Sequence, residues 1–118
     1  MATFPIESVN RGEVEISGSF ATKNGGGTVI TIYGTGFAVA YTGAGVYTVT
    51  FTKAFPTFLG AQAQLQLNTV DNWACQVKSF AAKVLTIRMV DGTTGAEVDL
   101  ADNANNRINF SAKFLNVT

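Results

Sequence analysis

Apolar and polar residues alternate with a period of two along most of this chain, and no stretch has clear helical periodicity. Residues 46–52 are typical, because Tyr47, Val49 and Phe51 alternate with threonines. Successive side chains of a β-strand point to opposite faces of a sheet, so this pattern predicts strands with one buried face. Strands are predicted over residues 13–20, 28–33, 37–41, 46–52, 61–69, 73–80, 84–90 and 107–115.

Turn-forming residues separate the predicted strands. The Asn-Gly-Gly-Gly run at residues 24–27 allows positive φ angles at no steric cost, and Asp91-Gly92 is a strong turn signal. Pro56 cannot lie inside a central strand, so it marks a boundary before residues 61–69. Seven or eight short strands at regular spacing predict an all-β fold, either an antiparallel β-sandwich or a jelly-roll-like barrel.

The two faces of these strands separate candidate core residues from candidate contact residues. The inward positions are Tyr47, Val49, Phe51, Leu65, Leu67 and Phe110. The outward positions that are uncharged but able to form hydrogen bonds are Thr48, Thr50, Gln62, Gln64 and Gln66. Such side chains pair across a symmetric interface without charge repulsion, so we expect the isolated protein to be an oligomer.

Length and charge limit the domain organisation and the partners. The chain has 118 residues without a break in composition, which predicts one β-sandwich domain over residues 13–118 after an N-terminal arm over residues 1–12. Eight basic and eight acidic residues cancel. Without a basic patch, we expect no nucleic acid and no membrane as partner. The N-terminus lacks the pattern of a signal peptide, so we expect the protein to be made in a cytoplasm.

The side chains that carry most enzyme and metal chemistry are scarce. The chain has no histidine and a single cysteine, Cys75, so the usual general base and the usual zinc ligands are missing. We therefore expect no enzyme, no catalytic site, no cofactor and no metal. An oxygen-ligated calcium ion is the alternative, at the cluster of Asp91, Asp99, Asp102, Asn103, Asn105 and Asn106. The simpler interpretation is that these residues stabilise turns.

A pattern in the second part of the chain resembles a known class of proteins. It consists of Gly-Ala-Gly-Val-Tyr-Thr-Val-Thr-Phe at residues 43–51, Phe-Pro at 55–56, the alternating segment 61–69, the segment 86–95 and Ile-Asn-Phe at 108–110. These features are similar to small β-modules on the virion surface of tailed bacteriophages, cyanophages included. The resemblance covers residues 43–118 and is shared by capsid decoration (cement) proteins and by fibre tips.

The resemblance implies a non-enzymatic structural protein, usually a homotrimer on the outer surface of the virion. Our leading hypothesis is a decoration protein that binds the major capsid protein and stabilises the shell. A fibre-tip or receptor-binding module is the alternative, and a carbohydrate-binding module that stacks Trp73 or Tyr41 on sugar rings is another. The sequence contains no shaft repeat or coiled coil, which favours the decoration protein.

Overall fold

The computed structural model describes residues 12–23, 28–68, 72–101 and 105–115. The arm predicted for residues 1–12, apart from Gly12, lies outside these ranges, as does the turn predicted at residues 24–27. The described residues form strands and no helix, and so include no helix that could cross a membrane. The strands are β1 (Glu13–Lys23), β2 (Thr28–Tyr33), β3 (Phe37–Gly43), β4 (Val46–Phe51), β5 (Thr57–Gln66), β6 (Trp73–Ala81), β7 (Val84–Asp91) and β8 (Arg107–Leu115).

These strands form two four-stranded antiparallel sheets that pack against each other. The front sheet has the strand order β2-β1-β8-β5, and the back sheet has the order β3-β4-β7-β6. The sequence neighbours β1 and β2, β3 and β4, and β6 and β7 pair within a sheet, whereas the other connections cross between the sheets. The antiparallel β-sandwich predicted from the sequence is therefore confirmed, with eight strands in the described part of the chain.

The start of β5 differs from the sequence prediction. β5 begins at Thr57, directly after Pro56, whereas the alternating pattern placed its start at residue 61. The reason is a β-bulge between Phe58 and Gly60, where the register with β8 shifts. A bulge moves the alternation by one residue, so Phe58 and Ala61 both pack against the core at an odd spacing. The period-two pattern therefore identified only the part of β5 beyond the bulge.

An apolar core fills the space between the two sheets. Its buried residues are Phe20, Tyr47, Val49, Phe51, Leu85, Ile87, Met89, Leu100, Ile108, Phe110, Ala112 and Phe114. Phe114 connects several aromatic rings, with centroids 5.1 Å from Phe51 and 4.8 Å from Phe55. Leu65 and Leu67, also predicted as core residues, pack against this cluster but are only half-buried. The reason is that β5 lies at the edge of the front sheet.

The connection between β7 and β8 is held by buried hydrogen bonds at Leu100. The Leu100 N–H donates to Tyr47 Oη at 3.0 Å, and the Leu100 carbonyl accepts from Thr22 Oγ1 at 2.5 Å. Tyr47 belongs to the back sheet and Thr22 to the front sheet, so Leu100 is bonded to both. Burial raises the pKa of Tyr47 to about 12, which keeps its hydroxyl protonated at neutral pH.

A hairpin turn with two left-handed residues joins β6 to β7. Ala82 and Lys83 have φ angles of 51° and 73°. A type I′ turn requires positive φ at both central positions, and Asn-Gly is its preferred sequence. An Ala-Lys pair has two Cβ atoms that disfavour this conformation, so the turn stores strain.

Truncation of two core phenylalanines tests the assigned core. Phe51 and Phe110 are 1% and 3% exposed, so alanine at either position leaves a large cavity. We expect Phe51→Ala and Phe110→Ala each to lower the free energy of unfolding by about 3–5 kcal/mol. Chemical denaturation measures the free energy of unfolding of each variant. The control is Leu59→Ala, an exposed position where we expect the stability to change by about 0.5 kcal/mol or less. Losses as small as the control's in both variants would contradict this core.

Replacing Lys83 by glycine tests the strain in the β6–β7 turn. Glycine reaches positive φ without a Cβ penalty, so we expect Lys83→Gly to raise the free energy of unfolding by about 0.5–1 kcal/mol. The matched control is Lys113→Gly, exposed inside β8, which we expect to destabilise by a similar amount because glycine weakens a strand interior. Thermal unfolding of both variants shows whether each substitution raises or lowers the stability. A destabilised Lys83→Gly variant would refute the strained turn.

Candidate functional site

The predicted contact residues lie on two opposite faces of the sandwich. Gln62, Gln64 and Gln66 are on β5 and define what we call the glutamine face, the outer surface of the front sheet. Thr48 and Thr50 are on β4 and define the threonine face, the outer surface of the back sheet. The sheets pack through their inner faces, so the two outer faces point in opposite directions. A single flat contact therefore cannot use both sets of residues.

Small and β-branched side chains cover the threonine face. Its outward residues are Ala38, Ala40 and Thr42 in β3, Val46, Thr48 and Thr50 in β4, Val84, Thr86, Arg88 and Val90 in β7, and Ala74, Gln76, Lys78, Ser79 and Ala81 in β6. Arg88 Nε donates to Gln76 Oε1 at 3.0 Å, so this guanidinium is hydrogen-bonded across the sheet. Short side chains at most positions leave the face flat, with little charge to desolvate on burial.

Polar side chains line up across the strands of the glutamine face. One row consists of Tyr33, Ser19, Asn109 and Gln64. The next row consists of Ser17, Ser111 and Gln62. Neighbouring strands are about 4.8 Å apart, so the first row extends over about 14 Å. Ser19 is buried within this row, so the polar groups that the glutamine face presents to a ligand lie mainly on β5, β8 and the end of β2.

The carboxylate of Glu15 is bound by hydroxyls on the glutamine face. Ser111 Oγ donates to Glu15 Oε2 at 2.6 Å, and Ser17 Oγ donates to the same oxygen at 3.3 Å. The Ser111 hydrogen bond, helped by the charge of Lys113, lowers the pKa of Glu15 although desolvation acts in the opposite direction. An ionised hydrogen-bond acceptor therefore lies among the hydroxyls of this face.

Two shallow depressions lie between β5 and β8 on the glutamine face. One has a volume of about 230 Å³ and is lined by Gln62, Ser111, Lys113 and the bulge of β5. The other has a volume of about 150 Å³ and lies beside Gln64 and Asn109. Gln62 and Ser111 line both depressions, so the two are adjacent. Each is small for a drug-sized ligand, and together they follow the rows of polar side chains.

Among the described residues, the most exposed aromatic ring is not one of those expected from the sequence. Trp73 is half-buried against the core, and the Tyr41 hydroxyl donates to Asp99 Oδ2 at 3.1 Å. Tyr33 is instead 69% exposed, at the end of β2 on the glutamine face. Sequence reasoning missed it because residues 28–33 lack regular alternation. The signal that marks it is Gly34, which ends the strand and leaves Tyr33 at the rim.

The cluster of acidic and amide residues stabilises loops. Asp99 Oδ1 accepts from the Gly45 N–H at 2.6 Å, and Asp91 Oδ1 accepts from the Thr93 N–H at 2.8 Å. Asn106 Oδ1 accepts from the Asn68 N–H at 2.6 Å. Two further members of the predicted cluster, Asp102 and Asn103, lie outside the described residues. Within the described residues, no group of three His, Cys, Asp or Glu side chains could hold a metal ion.

The thiol of Cys75 is poorly suited to nucleophilic chemistry. Its side chain points toward the core from β6 and is half-buried. Desolvation raises the pKa of Cys75 to about 12, so the thiolate is scarce at neutral pH.

A larger groove follows one edge of β1. It has a volume of about 750 Å³ and is lined by residues 15–17 of β1 and by residues 33–36, where β2 ends and the chain crosses to β3. We call it the edge groove. It differs from the depressions on the glutamine face because it includes Ile16, whose side chain points toward the core.

No protein-family model matches this chain, and neither a curated protein nor a solved structure matches it. The chemistry of the two sheet faces is therefore the basis for inferring what this protein does.

Proposed function

We propose that this protein is a non-enzymatic structural component of a tailed-phage virion, a decoration (cement) protein that binds the major capsid protein on the outer surface of the shell. The observation that supports this proposal is the threonine face, which is four strands wide. Among its described residues the charged ones are few, namely Arg88 and Lys78 on the strands and Glu97 bridged to Val90 at one end. Each copy adds a modest contact. Many copies on one shell together give a large stabilisation through multivalency.

The threonine face is suited to burial against another protein. Alanine has no side-chain rotamer entropy to lose, and a threonine hydroxyl can be either donor or acceptor to a partner. Depletion of charged residues is also the compositional signature of an interface core. A flat face of this kind fits a partner surface that is larger than the protein itself, as a capsid shell is.

Self-association uses another part of the molecule in this proposal. A closed three-fold ring needs two contact surfaces inclined toward each other, whereas contacts on oppositely directed faces generate an open stack. Gln62, Gln64 and Gln66 lie on β5, an edge strand that a neighbouring copy can approach from the side. We therefore assign this glutamine row to the contact between copies in a homotrimer and the threonine face to the shell.

Two matched lysine substitutions test this division of roles. Gln64 and Thr50 are both exposed and outward-facing, so lysine at either position leaves the core unchanged. We expect light scattering at about micromolar concentration to give the mass of three chains for the natural protein. Gln64→Lys should shift the mass toward one chain, because the contact between copies would then bury an unpaired charge. Thr50→Lys should keep the trimer but bind isolated shells at least about tenfold more weakly in co-sedimentation.

The opposite results would contradict the assignments. A natural protein with the mass of one 12.5 kDa chain would rule out the solution trimer. Unchanged shell binding by Thr50→Lys would rule out the threonine face as the contact with the shell. The number of copies per purified particle separates decoration protein from fibre tip, because a decoration protein approaches the copy number of the capsid protein and a fibre tip does not.

A second candidate function, a receptor-binding or carbohydrate-binding module, is favoured by the surroundings of Tyr33. This exposed ring lies at one end of the row that continues through Ser19 and Asn109 to Gln64. Sugar rings pack on aromatic faces, and sugar hydroxyls pair with amides and carboxylates such as Glu15. A glycan bound to the glutamine face would occupy side chains that the leading proposal assigns to the contact between copies. The two functions therefore make different predictions for the same residues.

Substitutions of Tyr33 test the carbohydrate-binding candidate on a glycan array. Under this candidate, Tyr33→Ala lowers the affinity for the bound glycan by about tenfold or more because the stacking surface is lost. Tyr33→Phe keeps the ring and is the matched control, with affinity close to that of the natural protein. Absence of binding to every glycan on the array, or equal affinity of the Ala and Phe variants, would remove this candidate.

A further inference from the structure

A pocket opens at the end of the sandwich where β6 turns into β7. It has a volume of about 160 Å³ and lies between the β6–β7 turn and the segment that connects β4 to β5. We call it the end pocket, and its lining residues are Lys53, Ala54, Phe55, Phe80, Ala82, Lys83 and Phe114. It is separate from the glutamine face, the threonine face and the edge groove, because none of their residues line it.

Aromatic rings form the interior of the end pocket. Phe114 is 1% exposed and lies at the bottom, whereas Phe55 and Phe80 are half-buried. The Phe55 ring is stacked on Phe114 with centroids 4.8 Å apart, and the Phe80 ring lies 5.6 Å from Phe114. A cavity of about 150 Å³ lined by apolar side chains is large enough to hold benzene. The end pocket therefore has room for one ring or for an apolar group of similar size.

Two lysine side chains accompany these rings. Lys53 Nζ lies 5.4 Å from the centroid of the Phe55 ring, a cation–π contact that keeps this ammonium group beside the pocket. Lys83 lines the pocket from the β6–β7 turn. The lining residues include no aspartate or glutamate. Two cations next to apolar rings, without an acidic side chain among them, favour a ligand that is apolar at one end and negatively charged at the other.

The backbone that carries Lys83 is held in an unfavourable conformation. Ala82 and Lys83 both have positive φ, which glycine would adopt without a Cβ penalty. The Phe51 N–H donates to the Lys83 carbonyl at 2.9 Å and so fixes the turn against the end of β4. Unfavourable backbone conformations are concentrated at functional sites, where the surrounding structure holds a side chain in place. Glycine at residue 83 would relieve the strain but would remove an ammonium group from the pocket.

We propose that the end pocket binds a small carboxylic acid with one aromatic or similarly sized apolar group. The apolar group lies against Phe55, Phe80 and Phe114. The carboxylate binds the ammonium groups of Lys53 and Lys83, through charge-assisted hydrogen bonds that are stronger than those between neutral groups. This inference is independent of the proposed function, because the pocket lies outside the surfaces assigned to the shell and to the contact between copies.

Three matched probes test the two parts of the proposed ligand. Phenylacetate has a ring and a carboxylate, phenylacetamide has the ring without the charge, and acetate has the charge without the ring. We expect phenylacetate to bind with a Kd on the order of 1 mM, as fragments of this size do, and at least about tenfold more tightly than either control. Two-dimensional NMR of the backbone amides measures the affinities, with shifts expected at residues 53–55 and 80–83. Absence of phenylacetate binding, equal binding of all three probes, or shifts confined to other residues would overturn the proposal.

Lysine variants separate loss of the ligand site from loss of the fold. Lys83→Gly, which we expect to raise the free energy of unfolding, should bind phenylacetate at least about fivefold more weakly because one ammonium group is lost. Lys53→Gln leaves the turn unchanged and should weaken binding by a similar factor. Lys78→Gln, on the threonine face, is the matched control and should bind like the natural protein. Unchanged affinity in both Lys83→Gly and Lys53→Gln would overturn the assignment of the carboxylate to these lysines.

A polypeptide that ends in phenylalanine could supply the same chemistry from another source. Its last residue carries both a ring and a free carboxylate, so the tripeptide Gly-Gly-Phe distinguishes the two sources in the same NMR titration. A pocket of about 160 Å³ is filled by the ring and carboxylate alone, so we expect the tripeptide to bind no more tightly than phenylacetate. Binding of the tripeptide that is tighter by about tenfold or more would overturn the small acid in favour of a polypeptide terminus.

Discussion

The two backbone hydrogen bonds of Leu100 determine how the sheets are held against each other. Their partners, the Tyr47 and Thr22 hydroxyls, come from opposite sheets, and all three residues are buried. A buried polar group that loses its partner costs about 1–3 kcal/mol, so sliding one sheet over the other is opposed at this point. The glutamine and threonine faces are the outer surfaces of these sheets, and their opposite directions therefore depend on this link.

The β7–β8 connection that carries Leu100 also explains why residue 45 is a glycine. The sequence pattern alone assigns Gly45 only to a turn. A Cβ at Gly45 would lie 2.6 Å from the backbone nitrogen and oxygen of Val98, so a larger residue would displace the loop that carries Leu100. The Gly45 N–H also donates to Asp99, whose other oxygen accepts from Tyr41. Asp99 was a calcium candidate by residue type. In the structure, the Asp99 carboxylate instead accepts hydrogen bonds from the β3–β4 hairpin and holds the hairpin against the connection between the sheets.

Strand positions were predictable from the sequence where inward and outward residues differ in polarity, as in β4, β7 and β8. The prediction was incomplete at bulges, because Phe58 and Ala61 in β5, and Val77 and Phe80 in β6, point inward at odd spacings. Periodicity does not encode which strands pair. The sequence therefore gave no indication that the glutamine row and the threonines lie on opposite faces, since that depends on the strand order of each sheet.

The candidate site was less predictable than the fold. Trp73 and Tyr41 were reasonable choices for an exposed aromatic by residue type, but packing against the core covers part of each. The exposure of Tyr33 and the position of the edge groove depend on where β2 ends. That position is set by the close approach of Gly34 to Ser17, a contact between strands that residue spacing does not reveal.

The low charge of the threonine face has a consequence for the conditions under which an attached coat persists. Contacts between oppositely charged surfaces weaken as ionic strength rises, because dissolved ions screen them. A contact made by alanine, valine and threonine side chains has little charge to screen, and stronger salt tends to favour apolar burial when its ions are excluded from protein surfaces. A coat attached in this way would stay on its particle in fresh water and in brine alike.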